Sequence, residues 1–407
     1  MSFNFPRTLF FYIGTALSQV ISVLTSFLII DKFTPDSFGQ YSFFFSIASI
    51  FGSFATLKFE LSIAISPSIN EASHKTSLSI VTSILFNILF ALFGLIFHLY
   101  KIDLFLLMVL SIGLTMSVNA SFQQFFLYNE DHFLNGFIPL LFASSNFIFL
   151  FFVNSNSSFT ILFSYVLSNL IQTLIYTLRL KYLKLSFSRL FNFNLIKVFK
   201  DNRIYPVLVF PSSIIGILFT YLNPILLEYL YSKEEVGLFS FGIRILMIPS
   251  IVVGAVASSI YRVRIAKLFY DRNFLQIRRI TLLLFFLLLI VTTIGFPILV
   301  FIVKKLHLFI DMHQWEGVIK ILIQLVPFAI SQLFFLAFSN VALVFNENKL
   351  LLWLNLLQFI FLIFSYFIGF YLGLDFKSFL TVFSLTNSFV ITYSCYKFFN
   401  ILYSKKL

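Results

Sequence analysis

The chain has 407 residues, of which 59% are hydrophobic and 11% charged, with a mean hydropathy of +0.98 and a formal net charge of +12. Soluble domains carry about 25% charged residues, so this composition excludes a soluble globular protein. No stretch of about 40 residues lacks a strongly apolar segment, which also excludes a separate nucleotide-binding or glycosyltransferase domain. The chain is therefore predicted to function within a lipid bilayer.

Apolar runs long enough to cross a bilayer follow one another along the whole chain. These runs are continuous rather than alternating, which favours helices over the strands of a barrel. The first run is expected to be retained as an anchor, because residues 1–6 lack the charged region and cleavage site of a secretory signal. The prediction is an all-α polytopic membrane protein with about twelve transmembrane helices of about 20 residues each. They are placed at residues 9–30, 39–66, 78–98, 104–126, 136–153, 158–180, 207–231, 237–262, 280–303, 317–345, 350–373 and 377–399.

Lysine and arginine are distributed unevenly among the polar segments between these runs. The densest groups lie at Arg179–Arg203 and Arg262–Arg279, on the same predicted side as both chain ends. Basic loops stay on the cytoplasmic side of a membrane, so both termini are predicted to be cytoplasmic. The same asymmetry, with attraction to anionic membrane lipids, accounts for the charge of +12 and makes nucleic acid an unnecessary partner.

The predicted spans divide into two similar halves. A basic linker at 181–206 separates an N-terminal six-helix bundle at 1–180 from a C-terminal six-helix bundle at 207–407. Both halves begin alike, because Pro35-Asp36-Ser37-Phe38-Gly39 corresponds to Lys233-Glu234-Glu235-Val236-Gly237 at an offset of 198 residues. With an even number of spans in each half, the two bundles are expected to be related by a pseudo-twofold axis along the membrane normal, a common transporter arrangement.

Two hairpin motifs carry a family resemblance. Asn223-Pro224-Ile225-Leu226-Leu227-Glu228, followed by Gly237-Leu238-Phe239-Ser240 and Arg244, resembles the seventh-to-eighth helix hairpin of the polysaccharide-transport family, the O-antigen (Wzx-type) flippases of the MOP exporter superfamily. Phe38-Gly39-Gln40-Tyr41-Ser42 and Leu57-Lys58-Phe59-Glu60-Leu61 are similar to the family's second helix. One departure is Asn223, where many relatives carry Asp.

The resemblance implies a MATE-like fold and a location in the bacterial cytoplasmic (inner) membrane. It further implies a flippase, not an enzyme, that moves an undecaprenyl-diphosphate-linked oligosaccharide, such as an O-antigen or capsule repeat unit, to the outer leaflet by alternating access. The expected partners are this lipid-linked oligosaccharide, membrane lipids and other polysaccharide-assembly proteins, and a monomer is expected to suffice. Arg244 matches the family's arginine, which implies a place in a cationic central cavity.

Few ionisable residues lie inside the predicted spans. A charge at the bilayer centre costs about 2.5 kcal/mol or more, so such residues face protein or a wet cavity and are functional candidates. Lys58 and Glu60, two positions apart, are expected on different helix faces and not to pair with each other. Lys58 could also snorkel to the cytoplasmic interface, and Lys320 could form a simple ion pair with Glu316. The candidates for the cavity or for coupling are Lys58, Glu60, Glu228, Arg244 and Lys320.

Neutral polar residues and prolines add further candidates. Asn119 and Gln123, one helical turn apart, could hydrogen-bond sugar hydroxyl groups, or could join neighbouring helices within a bundle. Pro211 and Pro224 interrupt the first long run of the second half and permit kinks. Together with Asn223 and Glu228, these prolines are the predicted coupling or gating residues.

Several motifs are absent from the sequence. It contains no glycine-rich phosphate loop followed by lysine, no histidine or cysteine cluster with metal spacing and a single cysteine, Cys395, so we expect no ATP hydrolysis, metal, cofactor or disulfide. The longest predicted outer loop, at about 304–316, is short for an integral-membrane polysaccharide polymerase. That polymerase and a MATE-like multidrug or ion-coupled exporter remain the alternatives to a flippase.

Overall fold

The computed structural model of the protein describes residues 5–97, 104–153, 155–182, 195–248, 255–305, 313–345 and 347–404. Within these ranges every regular element is helical, which confirms the all-α prediction. The α-helices are α1 (Phe5–Lys32), α2 (Pro35–Ala55), α3 (Glu60–Ile63), α4 (Ile69–Phe97), α5 (Leu104–Tyr128), α6 (His132–Phe152), α7 (Ser158–Tyr182), α8 (Leu195–Asp201), α9 (Phe210–Leu230), α10 (Lys233–Leu246), α11 (Ala255–Tyr270), α12 (Phe274–Ile290), α13 (Phe296–Lys305), α14 (Val318–Val344), α15 (Asn348–Tyr371) and α16 (Phe376–Ser404). Single π-helical turns at Tyr205–Val209 and Val291–Gly295 precede α9 and α13, and a 3₁₀ turn at His313–Trp315 precedes α14.

Helix lengths and composition agree with a membrane protein. In the described ranges, nine helical segments are long and apolar enough to cross a membrane. The other three predicted spans coincide with α2, with α10 and α11 together, and with α16, which are richer in Ser, Thr, Asn and Tyr or shorter. Large apolar side chains are exposed along many helices, as expected where lipid is the solvent.

The main departure from the predicted spans lies after α2. The run at 39–66 is predicted as one helix, but α2 ends at Ala55 and the short α3 begins only at Glu60. Leu57 and Lys58 adopt positive φ angles of 50° and 64°, a left-handed conformation that residues with a side chain rarely take. This break cannot be recognised in the sequence because neither residue is glycine or asparagine.

The chain forms two compact units that share helices α2 and α9. Unit 1 comprises Met1–Phe33 and Gln40–Ile225, and unit 2 comprises Thr34–Gly39 and Leu226–Leu407. Each unit thus contains one end of α2 and one end of α9. The division into six-helix bundles at 1–180 and 207–407, joined by a linker at 181–206, stays a prediction.

Unit 1 is held together by close helix crossings and a buried aromatic core. Helix α1 lies against α6 at Gly14, where a Cβ would overlap the backbone of Gly136, so the two helices touch backbone to backbone. In the core, the rings of Phe126 and Tyr176 stack at 5.4 Å. The Lys32 ammonium, at the end of α1, donates to the last carbonyl groups of α6, where a cation is favoured by the helix dipole.

Unit 2 is organised around α14. Half of the span that contains this helix is buried, more than in any other span identified in the described ranges. Leu333, Phe338 and Val341 of α14 pack with residues of α11, α12 and α16 in one hydrophobic core. The hydroxyl groups of Tyr261 and Thr281 hydrogen-bond at 2.7 Å within this core, so the buried polar atoms are satisfied there.

Candidate substrate-binding residues

The break after α2 brings Lys58 and Glu60 together. The Lys58 ammonium lies 3.4 Å from Glu60 Oε1, and the two side chains are 16% and 9% exposed. The expectation that these residues do not pair is therefore wrong. It assumed continuous helix geometry, whereas the left-handed backbone at Leu57 and Lys58 turns the lysine toward the carboxylate.

The Lys58–Glu60 pair is only partly satisfied. The second carboxylate oxygen of Glu60, Oε2, is buried without a hydrogen-bond partner. Helix α3 packs on α4, where Lys75 donates weakly to the Ser62 carbonyl at 3.5 Å and lies 3.9 Å from Glu71. Buried ion pairs with an unsatisfied oxygen are costly and do little for stability. Lys58 is therefore a cation whose charge is compensated by a single carboxylate oxygen at 3.4 Å.

Arg244 lies in the last turn of α10, within unit 2. Its side chain is half-buried, and no carboxylate in the described part of the chain lies within 4.0 Å of its guanidinium group. Helix α10 begins with a complete capping box, in which Ser232 and Glu235 bind each other's backbone N–H groups. A cation near the C-terminal end of a helix is favoured by the helix dipole, and Arg244 has that position in α10.

Helix α9 carries the predicted coupling and gating residues. Pro211 follows the π-helical turn Tyr205–Val209, and Pro224 lies inside the helix, so both mark places where the hydrogen-bond ladder is interrupted. Asn223 is buried and donates to the Phe219 carbonyl at 3.2 Å. Glu228 is half-buried with Oε2 unpartnered. These positions keep their status as candidates.

Asn119 occupies a helix interface within unit 1. Its amide group donates to the Asn169 carbonyl at 3.2 Å, and its oxygen accepts from the Thr173 hydroxyl at 2.8 Å. The side chain is 4% exposed and is used at both ends, so the structure favours the interhelical alternative. Gln123, one turn further along α5, is half-buried and remains a candidate for contact with a substrate.

Lys320 lines an open pocket at one end of unit 2. The pocket has a volume of about 690 Å³ and is formed where α10, α14 and α16 begin. The predicted Lys320–Glu316 pair is not formed, because Glu316 instead approaches His313 Nδ1 at 3.3 Å. Glu316 also lines the pocket, as do the charged residues Glu234, Glu235, Asp375 and Lys377.

The sequence offers little indication of this pocket, because its lining comes from three separate segments of the chain, at 232–238, 316–324 and 375–377. The only signal was the repeated occurrence of charged residues at helix starts on the predicted outer side. Hydrogen bonds from Ser378 and from backbone N–H groups at the start of α16 lower the pKa of Asp375. Gln324 donates to the Lys377 carbonyl at 3.2 Å and so joins α14 to α16 beside the pocket.

Comparisons with known proteins place the chain in a family. The profile described as "Polysaccharide biosynthesis protein" matches residues 7–261, more than half of the chain. No curated protein matches the chain by sequence.

Several solved structures have a similar fold. The chain resembles the inward closed conformation of the lipid II flippase MurJ with a TM-score of 0.73 and 13% identity over 96% of this chain and 87% of that one. It resembles an inward-facing multidrug resistance MATE family transporter of the MOP superfamily with a TM-score of 0.68 and 14% identity over 95% of both chains. A MOP superfamily transporter from Pyrococcus furiosus Vc1 gives a TM-score of 0.62 and 12% identity over 98% and 96%. At these identities the likeness concerns the fold, and with the match at 7–261 we conclude that this chain belongs to the polysaccharide biosynthesis protein family and has the fold of MOP superfamily transporters.

Proposed function

We propose that this protein translocates an undecaprenyl-diphosphate-linked oligosaccharide from the cytoplasmic to the outer leaflet of a bacterial inner membrane. The observation that carries the proposal is Arg244, a half-buried cation without an acidic partner in the described residues, in a member of the polysaccharide biosynthesis family. The fold shared with the lipid II flippase MurJ supports a lipid-linked substrate.

The chemistry of the headgroup explains why cations are needed. A diphosphate carries negative charge that must be compensated wherever the headgroup passes through a low-dielectric region. The planar fork of Arg244 can donate two parallel hydrogen bonds to one phosphate, and Lys58 can act as a point charge. No covalent bond changes in this process, so the protein acts as a transporter rather than an enzyme.

Lys58 and Arg244 are suited to different parts of the process. Lys58 is neutralised by Glu60 at 3.4 Å, so an arriving phosphate competes with an internal carboxylate for the ammonium group. Arg244 has no such competitor in the described residues. A competed site releases its anion readily, whereas an uncompensated arginine holds the anion more strongly. In this proposal Lys58 contacts the headgroup transiently, and Arg244 holds it for longer.

A multidrug exporter is the second candidate function. Glu234, Glu235, Glu316 and Asp375 line the pocket at one end of unit 2, and carboxylates suit a cationic compound. The MATE family transporter with a similar fold is described as a multidrug resistance protein. Two lysines in the same pocket, Lys320 and Lys377, reduce its negative charge and make this function the weaker candidate.

The leaflet in which lipid-linked repeat units accumulate tests the proposal. The gene is deleted and the units are then assayed for accessibility to a membrane-impermeant glycan-binding probe, before and after the inner membrane is opened. Accumulation only in the cytoplasmic leaflet is the expected result. Unpolymerised units in the outer leaflet indicate the polymerase instead, and unchanged glycan with increased sensitivity to cationic drugs indicates the exporter.

A further inference from the structure

The pocket at one end of unit 2 holds charged groups of both signs. Its volume of about 690 Å³ lies within the range of about 300–1,000 Å³ that is typical of small-molecule sites. Four carboxylates and two ammonium groups line it, those of Glu234, Glu235, Glu316, Asp375, Lys320 and Lys377. What the pocket can bind depends on which of these charges are still available to a ligand.

Three of the four carboxylates already have local partners. Glu235 accepts two hydrogen bonds of 3.0 Å within the capping box of α10. Asp375 accepts hydrogen bonds from backbone N–H groups at the start of α16, and Glu316 lies 3.3 Å from His313 Nδ1. The fourth is Glu234, which is exposed and has no basic nitrogen of the described residues within 4.0 Å. Glu234 is therefore the carboxylate that a ligand can engage without displacing a partner.

Neither lysine of the pocket is paired with a carboxylate in the part of the chain that the structure describes. Lys320 and Lys377 are exposed, and no carboxylate oxygen of those residues lies within 4.0 Å of either ammonium group. The helices that carry them are joined by Gln324, whose amide group donates to the Lys377 carbonyl at 3.2 Å and to the Thr381 hydroxyl at 3.3 Å. Two ammonium groups are thus available in one pocket.

The available charges disfavour a ligand of a single sign. A purely cationic compound meets the ammonium groups of Lys320 and Lys377, and a purely anionic one enters a pocket lined by four carboxylates and only two lysines. A zwitterion that carries a phosphate and a primary ammonium group satisfies both signs. Its phosphate accepts charge-assisted hydrogen bonds from the lysines, and its ammonium group donates to Glu234.

An exposed stripe on α16 continues from the pocket. Lys377, Thr381, Leu385 and Phe389 follow one another at intervals of four residues, so they share one face of the helix. All four are exposed, and the stripe changes from charged at Lys377 to apolar at Leu385 and Phe389, which are 58% and 72% exposed. A soluble zwitterion makes no use of these apolar side chains, whereas the acyl chain of a phospholipid packs against them. The stripe therefore favours a lipid as the source of the zwitterion.

We propose that this pocket binds the headgroup of phosphatidylethanolamine, with an acyl chain lying along Leu385 and Phe389. The phosphate contacts Lys320 and Lys377, and the ammonium group contacts Glu234. The bound headgroup joins the starts of α10, α14 and α16 and so stabilises unit 2. This inference goes beyond the proposed translocation and does not depend on it.

Lipid-dependent thermal stability gives the first test. The purified protein in mixed micelles is titrated with phosphatidylethanolamine, phosphatidylcholine or phosphatidylglycerol of the same acyl chains, and its melting temperature is followed, because a ligand of the folded state raises it by mass action. Half-saturation by phosphatidylethanolamine is expected at a lipid fraction about tenfold lower than for the other two. Choline cannot donate a hydrogen bond to Glu234, and phosphatidylglycerol has no ammonium group. Equal half-saturation by the three lipids would overturn the proposal.

Substitutions of exposed residues assign the binding to the pocket and leave the packed core intact. Lys320→Ala combined with Lys377→Ala is expected to weaken the binding of phosphatidylethanolamine about tenfold or more, since charge-assisted hydrogen bonds to the phosphate are lost. Glu234→Gln is expected to bring its half-saturation close to that of phosphatidylcholine. Lys349→Ala, an exposed change at the start of α15 and outside the pocket, is the matched control. Unchanged binding by the double lysine variant contradicts the proposed site.

Two further measurements separate a phospholipid from a soluble zwitterion. Leu385→Ser combined with Phe389→Ser keeps the charged groups of the pocket and is expected to weaken the binding of phosphatidylethanolamine about threefold or more, because apolar contact with the acyl chain is lost. Phosphoethanolamine without acyl chains is expected to leave the melting temperature unchanged at the concentrations at which the lipid saturates. A shift from phosphoethanolamine equal to that from the lipid, or full lipid binding by the double serine variant, would show that the ligand is not a phospholipid.

Discussion

Lys58 and Arg244 are both basic residues inside predicted spans, but their side chains have different surroundings. Lys58 is held by a left-handed backbone against Glu60, whereas Arg244 lies at the end of a regular helix with no carboxylate nearby in the described residues. The charge of Lys58 is compensated by the Glu60 carboxylate, and that of Arg244 only by the C-terminal end of α10. The difference teaches that an intramembrane charge has to be judged by its local partner, not by its position in a span.

The largest expected effect is the loss of glycan export when Arg244 is replaced. Arg244→Ala should reduce glycan export about 10- to 150-fold, because it removes charge-assisted hydrogen bonds of about 1.5–3 kcal/mol to the headgroup. Arg244→Lys should recover part of the activity, since a point charge replaces the fork. Export is measured by complementation of the deletion strain at matched protein levels. Arg264→Ala, exposed on α11, is the control, and normal export by Arg244→Ala would remove the residue from the mechanism.

For Lys58, the cation paired with Glu60, the main expected effect is on the stability of the protein. Glu60→Gln leaves Lys58 partly buried without its counter-charge and should destabilise the detergent-solubilised protein by about 1–3 kcal/mol. Combining Glu60→Gln with Lys58→Met should recover much of this loss, because both charges are then absent. Thermal unfolding of the four proteins in this cycle measures the coupling. Additive losses in the double variant would show that the 3.4 Å pair has no energetic role.

A smaller effect separates a helix contact from a substrate contact. Asn119→Ala removes the hydrogen bonds to Asn169 and Thr173 and should lower stability by about 1 kcal/mol with little change in export per folded molecule. Gln123→Ala should leave the melting temperature nearly unchanged. The opposite pattern, a loss of export by Asn119→Ala at normal stability, would return Asn119 to the substrate path.

The smallest expected effect concerns Asp375, at the start of α16, and the pH dependence of the melting temperature. Hydrogen bonds from Ser378 and the start of α16 lower the pKa of Asp375, so its ionised form is favoured in the folded protein. The stability from this charge is present above the unfolded pKa of about 3.9 and is lost as pH falls through the lower folded value. Asp375→Asn should therefore flatten the pH dependence of the melting temperature below about pH 4. An unchanged profile would exclude this contribution.

Most of the fold was predictable from hydrophobicity. The span predicted at 104–126 is α5 at Leu104–Tyr128, and that predicted at 317–345 is α14 at Val318–Val344. Long continuous apolar runs in lipid satisfy their backbone groups as helices, so the positions of these helices follow from composition. The repeat at Gly39 and Gly237 was also visible as a pattern of residue types.

The candidate site was less predictable, for three physical reasons. The left-handed turn at Leu57 and Lys58 is imposed by tertiary packing and has no local signal. The choice of Glu316 between His313 and Lys320 depends on a 3₁₀ turn that propensity does not specify. The pocket near Lys320 joins segments that are far apart in the chain. Side-chain partners follow from such details and not from helix periodicity.

The sharing of α2 and α9 between the two units has a consequence for biosynthesis. Unit 1 remains incomplete until the ribosome has made residues up to Ile225, and the first turn of α2 gains its backbone partner at Gly237 only when that residue has been made. At about 5–20 residues per second, that partner arrives roughly 10–40 s after Gly39. A fragment that stops in the linker at 181–206 therefore lacks the part of α9 that belongs to unit 1.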